Sequence, residues 1–369
     1  MNIAIAGRSM NTPGGVKEYL EGLCYGLSQT ELPADVKIFF LMTPKGATPK
    51  YANAVTVVRR GPENRFIWDY ITLPALLARL QIDVILHVKN TIPFTVKTPG
   101  AVVVHDLLHL LQPDVYKKKD SIYMNWAMRR SLPKAKKIIA ISQNTKKDLL
   151  QEIPELNEVK ISVVYQDAMP QFDATVSTET IEVVRQEFNL PERFLLFTGS
   201  LSPRKNLLGL FEAFAKIQND VPHHLVITGG KAWKEGPIHS RLQELQLEQR
   251  VHILGFVPDK NMPALYQAAE AYIYPSFYEG FGIPLLEAFA AGTPVISSNT
   301  SSLPEVGGEA ALYINPKDPS DIAKKIKTLL SSSELREKLQ EKGYEQRKKF
   351  SWVESSKEIL QLLLSIGKI

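Results

Sequence analysis

The sequence predicts two α/β domains in tandem, each a doubly wound, mostly parallel sheet with helices on both faces. Three observations predict it. Short β-rich runs alternate with helical periodicity from Asn2 to Tyr165. A stretch near residues 168–190, with Pro170, Pro191 and many Ser, Thr and Glu, breaks that rhythm, and the alternation restarts at Phe194. The chain has 369 residues, 44% of them hydrophobic, which suits two ordinary domains better than one. The expected domains are residues 1–170 and 185–350, with a C-terminal helix over 351–369 that returns to the first. Two such domains would set the carboxyl ends of their strands toward each other across a cleft, suited to one substrate from each side.

In the first half, Asn2–Ala6 reads as a strand whose exit loop, Gly7–Gly15, holds three glycines. The helix that follows has Val16, Tyr19, Leu20, Leu23 and Leu27 on one face. Strands are expected at Val36–Met42, Asp83–Val88, Ala101–Val104, Lys137–Ile141 and Lys160–Tyr165. Helices are expected at Arg65–Leu80, Ser121–Arg130 and Ser142–Leu150, the last with Ser142 as N-cap. In the second half, strands are expected at Phe194–Thr198, His224–Thr228, Val251–Leu254, Ala271–Tyr274, Val295–Ser298 and Ala311–Ile314. The helices between them start after Lys205 and at His239, Met262 and Pro284. Further helices run over 319–330 and 333–349, and a final one begins near Trp352.

Composition narrows the function classes. No apolar run approaches ~18 residues, so a membrane span is not expected. The opening residues read as a strand rather than a signal peptide. Cys24 is the one cysteine, so no intrachain disulfide can form, and its place on an apolar helix face reads as core. The net charge of +5 is uneven, since residues 1–180 carry 22 Lys and Arg against 17 Asp and Glu while the remainder is balanced. Ten basic residues and one acid lie between Tyr116 and Lys147. Such a run is usually a solvated face, and otherwise it could meet nucleic acid, an anionic membrane surface or a phosphorylated substrate.

The chemistry concentrates in a few loops. Glu279 falls in a strand-to-helix loop, Tyr278-Glu279-Gly280-Phe281-Gly282-Ile283-Pro284, and Glu287 is expected in the first turn of the helix. A helix N-terminus and bare glycine backbone offer N–H donors to a phosphate, and fixed carboxylates accept from sugar hydroxyls. Arg204 and Lys205 stand where another helix starts, which its dipole disfavours, so an anion such as a diphosphate should offset them. The Gly7–Gly15 loop lacks the G-x-G-x-x-G spacing, so a nicotinamide cofactor gains no support. His105 ends a strand, the right place for a reacting group, but Asp106 beside it on an extended chain points the other way. His109, His223 and His224 read as structural, and no His/Cys spacing suggests a metal.

Glu279 and Glu287 stand in an E-x7-E pattern, and there the chain resembles the retaining glycosyltransferases of the two-Rossmann-domain type. These have the GT-B fold and belong to family 4, glycosyl transferases group 1, here of the mannosyltransferase-like kind. The resemblance covers nearly the whole chain. It rests on Gly199–Asn206, Gly255-Phe256-Val257-Pro258, Glu279–Gly292, Pro294-Val295-Ile296 and Leu303-Pro304-Glu305-Val306. Gly14-Gly15, Val104-His105-Asp106 and Phe350-Ser351-Trp352 add to it.

The resemblance implies a role for each matching residue. Arg204 and Lys205 would hold the donor diphosphate, Glu287 the ribose hydroxyls and Glu279 the sugar hydroxyls. Backbone at Phe281, Gly282 and Ile283 would touch sugar and phosphate, and Val257 the base. His105 would face the transferred sugar, and Gly15 the phosphate or the acceptor. In many members the first cation lies several residues earlier, where Ser200 stands here, and the frequent Asn-Gly after the last strand of the first domain is Gln166-Asp167.

The implied reaction moves a hexose from GDP-mannose or a UDP-hexose to a saccharide or lipid-linked acceptor. No cofactor and no metal are expected, because cationic side chains and helix dipoles would stabilise the leaving phosphate, which itself helps deprotonate the acceptor. No nucleic acid partner is expected. The expected location is cytoplasmic, with the basic 116–147 region touching the inner face of an anionic membrane. A phosphorylase, a nucleotide-sugar epimerase and a non-catalytic sugar-nucleotide binding subunit are the alternatives on the same fold. Loss of a carboxylate–hydroxyl bond is worth about 1.5–3 kcal/mol, so Glu279→Ala should lower turnover with little effect on folding.

Overall fold

The computed structural model describes residues 1–11, 14–113, 118–230 and 238–367. The chain forms two compact units, one of Met1–Asp167 with Ser351–Ile369 and one of Ala168–Phe350. The first holds a seven-stranded sheet: β1 (Asn2–Ala6), β2 (Lys37–Met42), β3 (Thr56–Arg59), β4 (Val84–His87), β5 (Gly100–Val104), β6 (Lys137–Ala140) and β7 (Ile161–Val163). All pairings are parallel, in the order β3-β2-β1-β4-β5-β6-β7. Every residue of β4 and β5 is buried. Strands covered on both faces read as continuous apolar runs rather than alternations.

The second unit has six parallel strands: β8 (Phe194–Thr198), β9 (His224–Thr228), β10 (Val251–Gly255), β11 (Ala271–Tyr274), β12 (Val295–Ser298) and β13 (Ala311–Ile314). Their order is β10-β9-β8-β11-β12-β13. In each unit the strand order therefore reverses beside the first strand, between β1 and β4 and between β8 and β11. At such a reversal the flanking loops diverge and leave a crevice at the carboxyl ends.

Several elements differ from the sequence reading, three of them in ways that have a physical reason. The edge strand β3 was not expected, because it is four residues long, paired on one side and only half-buried. The expected helix Arg65–Leu80 is interrupted by a π-helical turn at Trp68–Thr72, where Leu73 N–H bonds to Trp68 O. Pro74 follows and has no N–H to continue the ladder, which favours the wider turn. The stretch 168–190 lies within the second unit and contains the helix Thr178–Glu187, capped by Ser177 Oγ on Thr180 N.

The C-terminal helix, Trp352–Gly367, packs on the Gly15–Ser28 helix through two glycines four residues apart. A Cβ on Gly22 would stand 2.0 Å from the Trp352 ring, and one on Gly26 would stand 2.1 Å from the Trp352 carbonyl. Trp352 is 1% exposed, and its Nε1 donates to Asp167 O at 2.8 Å. Ser355 Oγ donates to Tyr165 O, also at 2.8 Å. Cys24 is buried in the Gly15–Ser28 helix, as its pattern implied.

Gly22→Val should cost about 1–3 kcal/mol by overpacking, and Trp352→Ala about 3–5 kcal/mol by leaving a cavity. Urea midpoints of the two variants against wild type measure this, and unshifted midpoints would remove this helix from the first unit's core.

Candidate functional site

Two loops meet at the strand-order reversal of the second unit. After β8, Gly199 takes φ +138° and lies against Gly229, which takes φ +144° after β9. A Cβ on Gly229 would stand 1.9 Å from Gly199 O, so the loop after β9 has no room for a side chain there. Pro203–Lys205 then makes one 3-10 turn, and Asn206 enters the left-handed region at φ 58° before the helix Leu207–Ala215. Asn206 Nδ2 donates to Pro275 O at 3.1 Å and Pro316 O at 2.6 Å, fixing the turn to the neighbouring loops. Arg204 and Lys205 thus lie ahead of the helix rather than in its first turn.

The anion that offsets them belongs to the protein. Glu279, 7% exposed, meets Arg204 at 2.5 Å through Oε2 and Lys205 at 2.8 Å through Oε1. Lys205 is itself 5% exposed, donates to Tyr274 Oη, and holds its Nζ 4.5 Å from the centre of the Tyr274 ring. The loops are tied further, since Phe277 N donates to Arg204 O at 2.8 Å and Arg204 Nη1 donates to Tyr278 O at 3.2 Å. Burial pushes the Glu279 carboxyl up, but the Arg204 and Lys205 charges more than offset it and bring the carboxyl down to about 2. It is ionised at neutral pH. Lys205 is the cation that faces Oε1, at 2.8 Å.

The Glu279 loop is anchored by two serines that the sequence did not single out. Glu279 N donates to Ser301 Oγ at 2.9 Å, and Ser302 Oγ reaches Glu279 O at 2.9 Å and Phe281 O at 2.7 Å. Gly282, at φ +118°, is the N-cap of the helix Ile283–Ala290, with Ile283 first and Pro284 second. Phe281 is buried edge-on to Phe350, so only its backbone can serve a ligand. Glu287 is the fifth residue of this helix and sits past the first turn where it was expected. Its Oε2 accepts from Tyr266 Oη at 2.8 Å, and Tyr266 joins Thr198 at 3.0 Å, at the end of β8. Val257 is buried two residues beyond β10.

The remaining predicted residues belong to the first unit. Gly15 is the first residue of its helix after Gly14, at φ +126°, and a Cβ on either would meet nothing within 4 Å. His105 follows β5. Its Nε2–H donates to Val88 O at 2.9 Å, its backbone N–H donates to Asn90 Oδ1 at 2.8 Å, and the Tyr19 ring stands edge-on at 5.0 Å. Burial lowers its pKa, so the imidazole is neutral with the proton on Nε2. Asp106 turns away, accepting from Leu108 N at 3.0 Å. Asn90, at φ 53°, also donates to Asp106 O, so it holds both ends of the His105 step. An Asn just past a strand was the available signal for it.

Comparison with known proteins adds the family. Residues 13–166 match the family described as Glycosyltransferase Family 4, and residues 179–346 match Glycosyl transferases group 1. O-antigen chain mannosyltransferase B of Escherichia coli is 32% identical over 253 residues, which are 67% of this chain and 65% of that protein. Serotype-specific mannosyltransferase WbdA of the same organism is 29% identical over 69% of this chain, and the match spans 32% of WbdA. O-antigen chain mannosyltransferase RfbU of Salmonella typhimurium is 27% identical over 75% of this chain and 74% of its own. The match thus spans just under two thirds of the first relative and about one third of WbdA. Among solved structures, sucrose-phosphate synthase from Thermosynechococcus elongatus superposes with a TM-score of 0.80 at 20% identity, covering 99% of each chain. Anabaena HepE in complex with UDP and glucose gives 0.76 at 19% identity, covering 99% of this chain and 100% of its own. These likenesses show the GT-B fold.

Glu279→Ala was expected to have little effect on folding, but the carboxylate is buried against two cations that its removal would leave uncompensated. Its folded pKa of about 2 lies below the ordinary 4.5, so its contribution is fully present above that value and is lost as pH falls from there through 2. The contribution is on the order of 3 kcal/mol. Urea midpoints followed from pH 6 toward pH 3 should fall for wild type. Glu279→Gln should start lower and change less, and parallel curves for the two proteins would contradict the ion pairing.

Proposed function

This chain belongs to the glycosyl transferases group 1, and from that membership we propose that it is a glycosyltransferase. It moves a hexose from a nucleoside-diphosphate sugar to a saccharide or lipid-linked acceptor. Transfer retains the configuration of the anomeric carbon and uses no metal. The names of mannosyltransferase B, WbdA and RfbU favour mannose as the hexose, and GDP-mannose is the donor to try first.

One observation carries the reading. In the crevice between β8 and β11, a buried ionised carboxylate stands between two cations, Arg204 on Oε2 and Lys205 on Oε1. A sugar hydroxyl can donate to this carboxylate, and a diphosphate is the anion that Arg204 and Lys205 would meet through charge-assisted bonds. Glu287, held by Tyr266, takes the ribose hydroxyls. Backbone N–H groups of Phe281, Gly282 and Ile283, at the start of their helix, face developing charge on the phosphate. The leaving phosphate takes the acceptor proton on the same face of the sugar. Gly15 and His105 serve the acceptor side, with the neutral imidazole turned by its bond to Val88 O.

The basic region 116–147 is proposed to rest on an anionic membrane at the cytoplasmic face. Tyr116 and Lys117 lie outside the described residues. Lys118, Lys119, Arg130, Lys134 and Lys136 are exposed, whereas Lys146 is paired with Glu158 at 2.9 Å. Among the described residues no helix is long and apolar enough to cross a membrane.

Thermal-shift titration with UDP-, GDP- and ADP-sugars tests the donor reading, with GDP-mannose expected to raise Tm most. Lys205→Ala should weaken donor binding about ten- to a hundredfold. No shift with any donor would end the reading. Sedimentation with anionic but not neutral vesicles, weakened by salt and by Lys118→Glu with Lys119→Glu, is the expected membrane behaviour.

A further inference from the structure

A cavity of about 270 Å³ lies within the first unit, between the segment 91–100 and the helix Lys118–Ser131. Two buried polar atoms on its lining, His87 Nε2 and Ser131 Oγ, have no hydrogen-bond partner among the described residues. These residues are 3% and 7% exposed. Orphaned polar groups at this depth are costly unless something else satisfies them. Burial lowers the His87 pKa to about 3, so the imidazole is neutral and can either donate or accept.

Charge at the mouth is one-sided. Lys97, Arg130, Lys134 and Lys136 line the cavity with exposed side chains, and none has a carboxylate partner among the described residues. The one acid on the lining, Asp69, is already paired with Arg8 at 3.3 Å and Arg65 at 3.6 Å. The wall is aromatic. Tyr70 and Tyr123 share a 2.8 Å hydroxyl bond, and the rings of Phe94 and Trp126 extend the wall at 4.5 Å from Tyr70 and 6.3 Å from Tyr123. Phe94 is 66% exposed and Trp126 49%, a large apolar outlay for a free surface.

We propose that this cavity binds a phosphate-bearing amphiphile. The phosphate meets Arg130, Lys134 and Lys136, the apolar body lies along Tyr70, Phe94, Tyr123 and Trp126, and a polar group on that body satisfies His87 and Ser131. A neutral glycolipid would leave the cations unanswered, and inorganic phosphate would leave the aromatic wall bare. Assigning the bound molecule to the acceptor side of the transfer rests on the proposed function. The binding itself does not, because the cavity and the donor-site residues are in different units.

Calorimetric titration of the full chain, below the critical micelle concentration, tests the proposal with dodecyl phosphate, dodecyl maltoside, inorganic phosphate and a hexose phosphate as probes. Dodecyl phosphate should bind at least roughly tenfold more tightly than any of the other three. Lys134→Glu with Lys136→Glu, both exposed and safe for folding, should lose most of that preference. Ser131→Val should weaken dodecyl phosphate binding, and if it does not fold the charge-reversal variant still decides. Equal binding of dodecyl maltoside would overturn the anionic component, and equal binding of inorganic or hexose phosphate would overturn the apolar one. A charge-reversal variant with wild-type affinity would overturn the site itself. The GDP-mannose thermal shift, measured on the same variants, should be unchanged, so failure of the donor reading and failure of this one are told apart.

Discussion

The buried contact of Glu279 with Arg204 and Lys205 is the interaction on which the second unit's functional end depends. It joins the loop after β8 to the loop after β11, the two that diverge where the strand order reverses. Without it, Lys205 would be a nearly buried cation against an aromatic ring, and the crevice walls would be linked mainly by backbone bonds. Buried ion pairs of this kind are weak evidence for stability, since well-packed apolar residues of similar volume often do as well. A more direct reason to keep one at the carboxyl ends of the strands is that it fixes charges in place before a ligand arrives.

The same geometry recurs in the first unit with different chemistry. Its reversal lies between β1 and β4, and there the polar ties are neutral: His105 Nε2–H on Val88 O and the Asn90 amide bridging His105 and Asp106. One unit thus positions charge, and the other positions a neutral imidazole and an open helix start at Gly15. The division suits the fold. Strand orders that agree over six strands place both sets of groups on loops, where the residues can differ without disturbing the sheets.

How far the sequence could be read followed from where each element's stability comes from. Phe194–Thr198, His224–Thr228, Ala271–Tyr274, Val295–Ser298 and Ala311–Ile314 were legible to the residue, because an apolar run bounded by turn formers is what a strand in a covered parallel sheet requires. Thr56–Arg59 was not, since none of its four residues is buried and it has no such apolar signature. The Ser/Thr/Glu-rich stretch that read as a linker hid a capping pair, Ser177 on Thr180, whose helix is short and mostly exposed. The site residues could be named because glycines, a proline and two acids sit at loop positions. The partner of each could not, because Lys205 and Glu279 are 74 residues apart and only the sheet order brings them together.

The helix-dipole argument illustrates the difference. It held that Arg204 and Lys205 need an anion, which is right, and it looked for that anion in a ligand, although Glu279 supplies one within the chain. Under the donor reading a diphosphate must then share or exchange these partners rather than fill an empty place. The two cations are not equivalent in this respect. Arg204 has a side chain 27% exposed and a planar fork that can bridge two acceptors, whereas the Lys205 side chain is 7% exposed and fixed by Tyr274. Turning Arg204 toward a phosphate uncovers little that is buried, and Lys205 alone still holds Glu279 ionised. Glu279 Oε2 would then be released toward the sugar just as the diphosphate arrives, coupling recognition of the two halves of one donor through a single arginine.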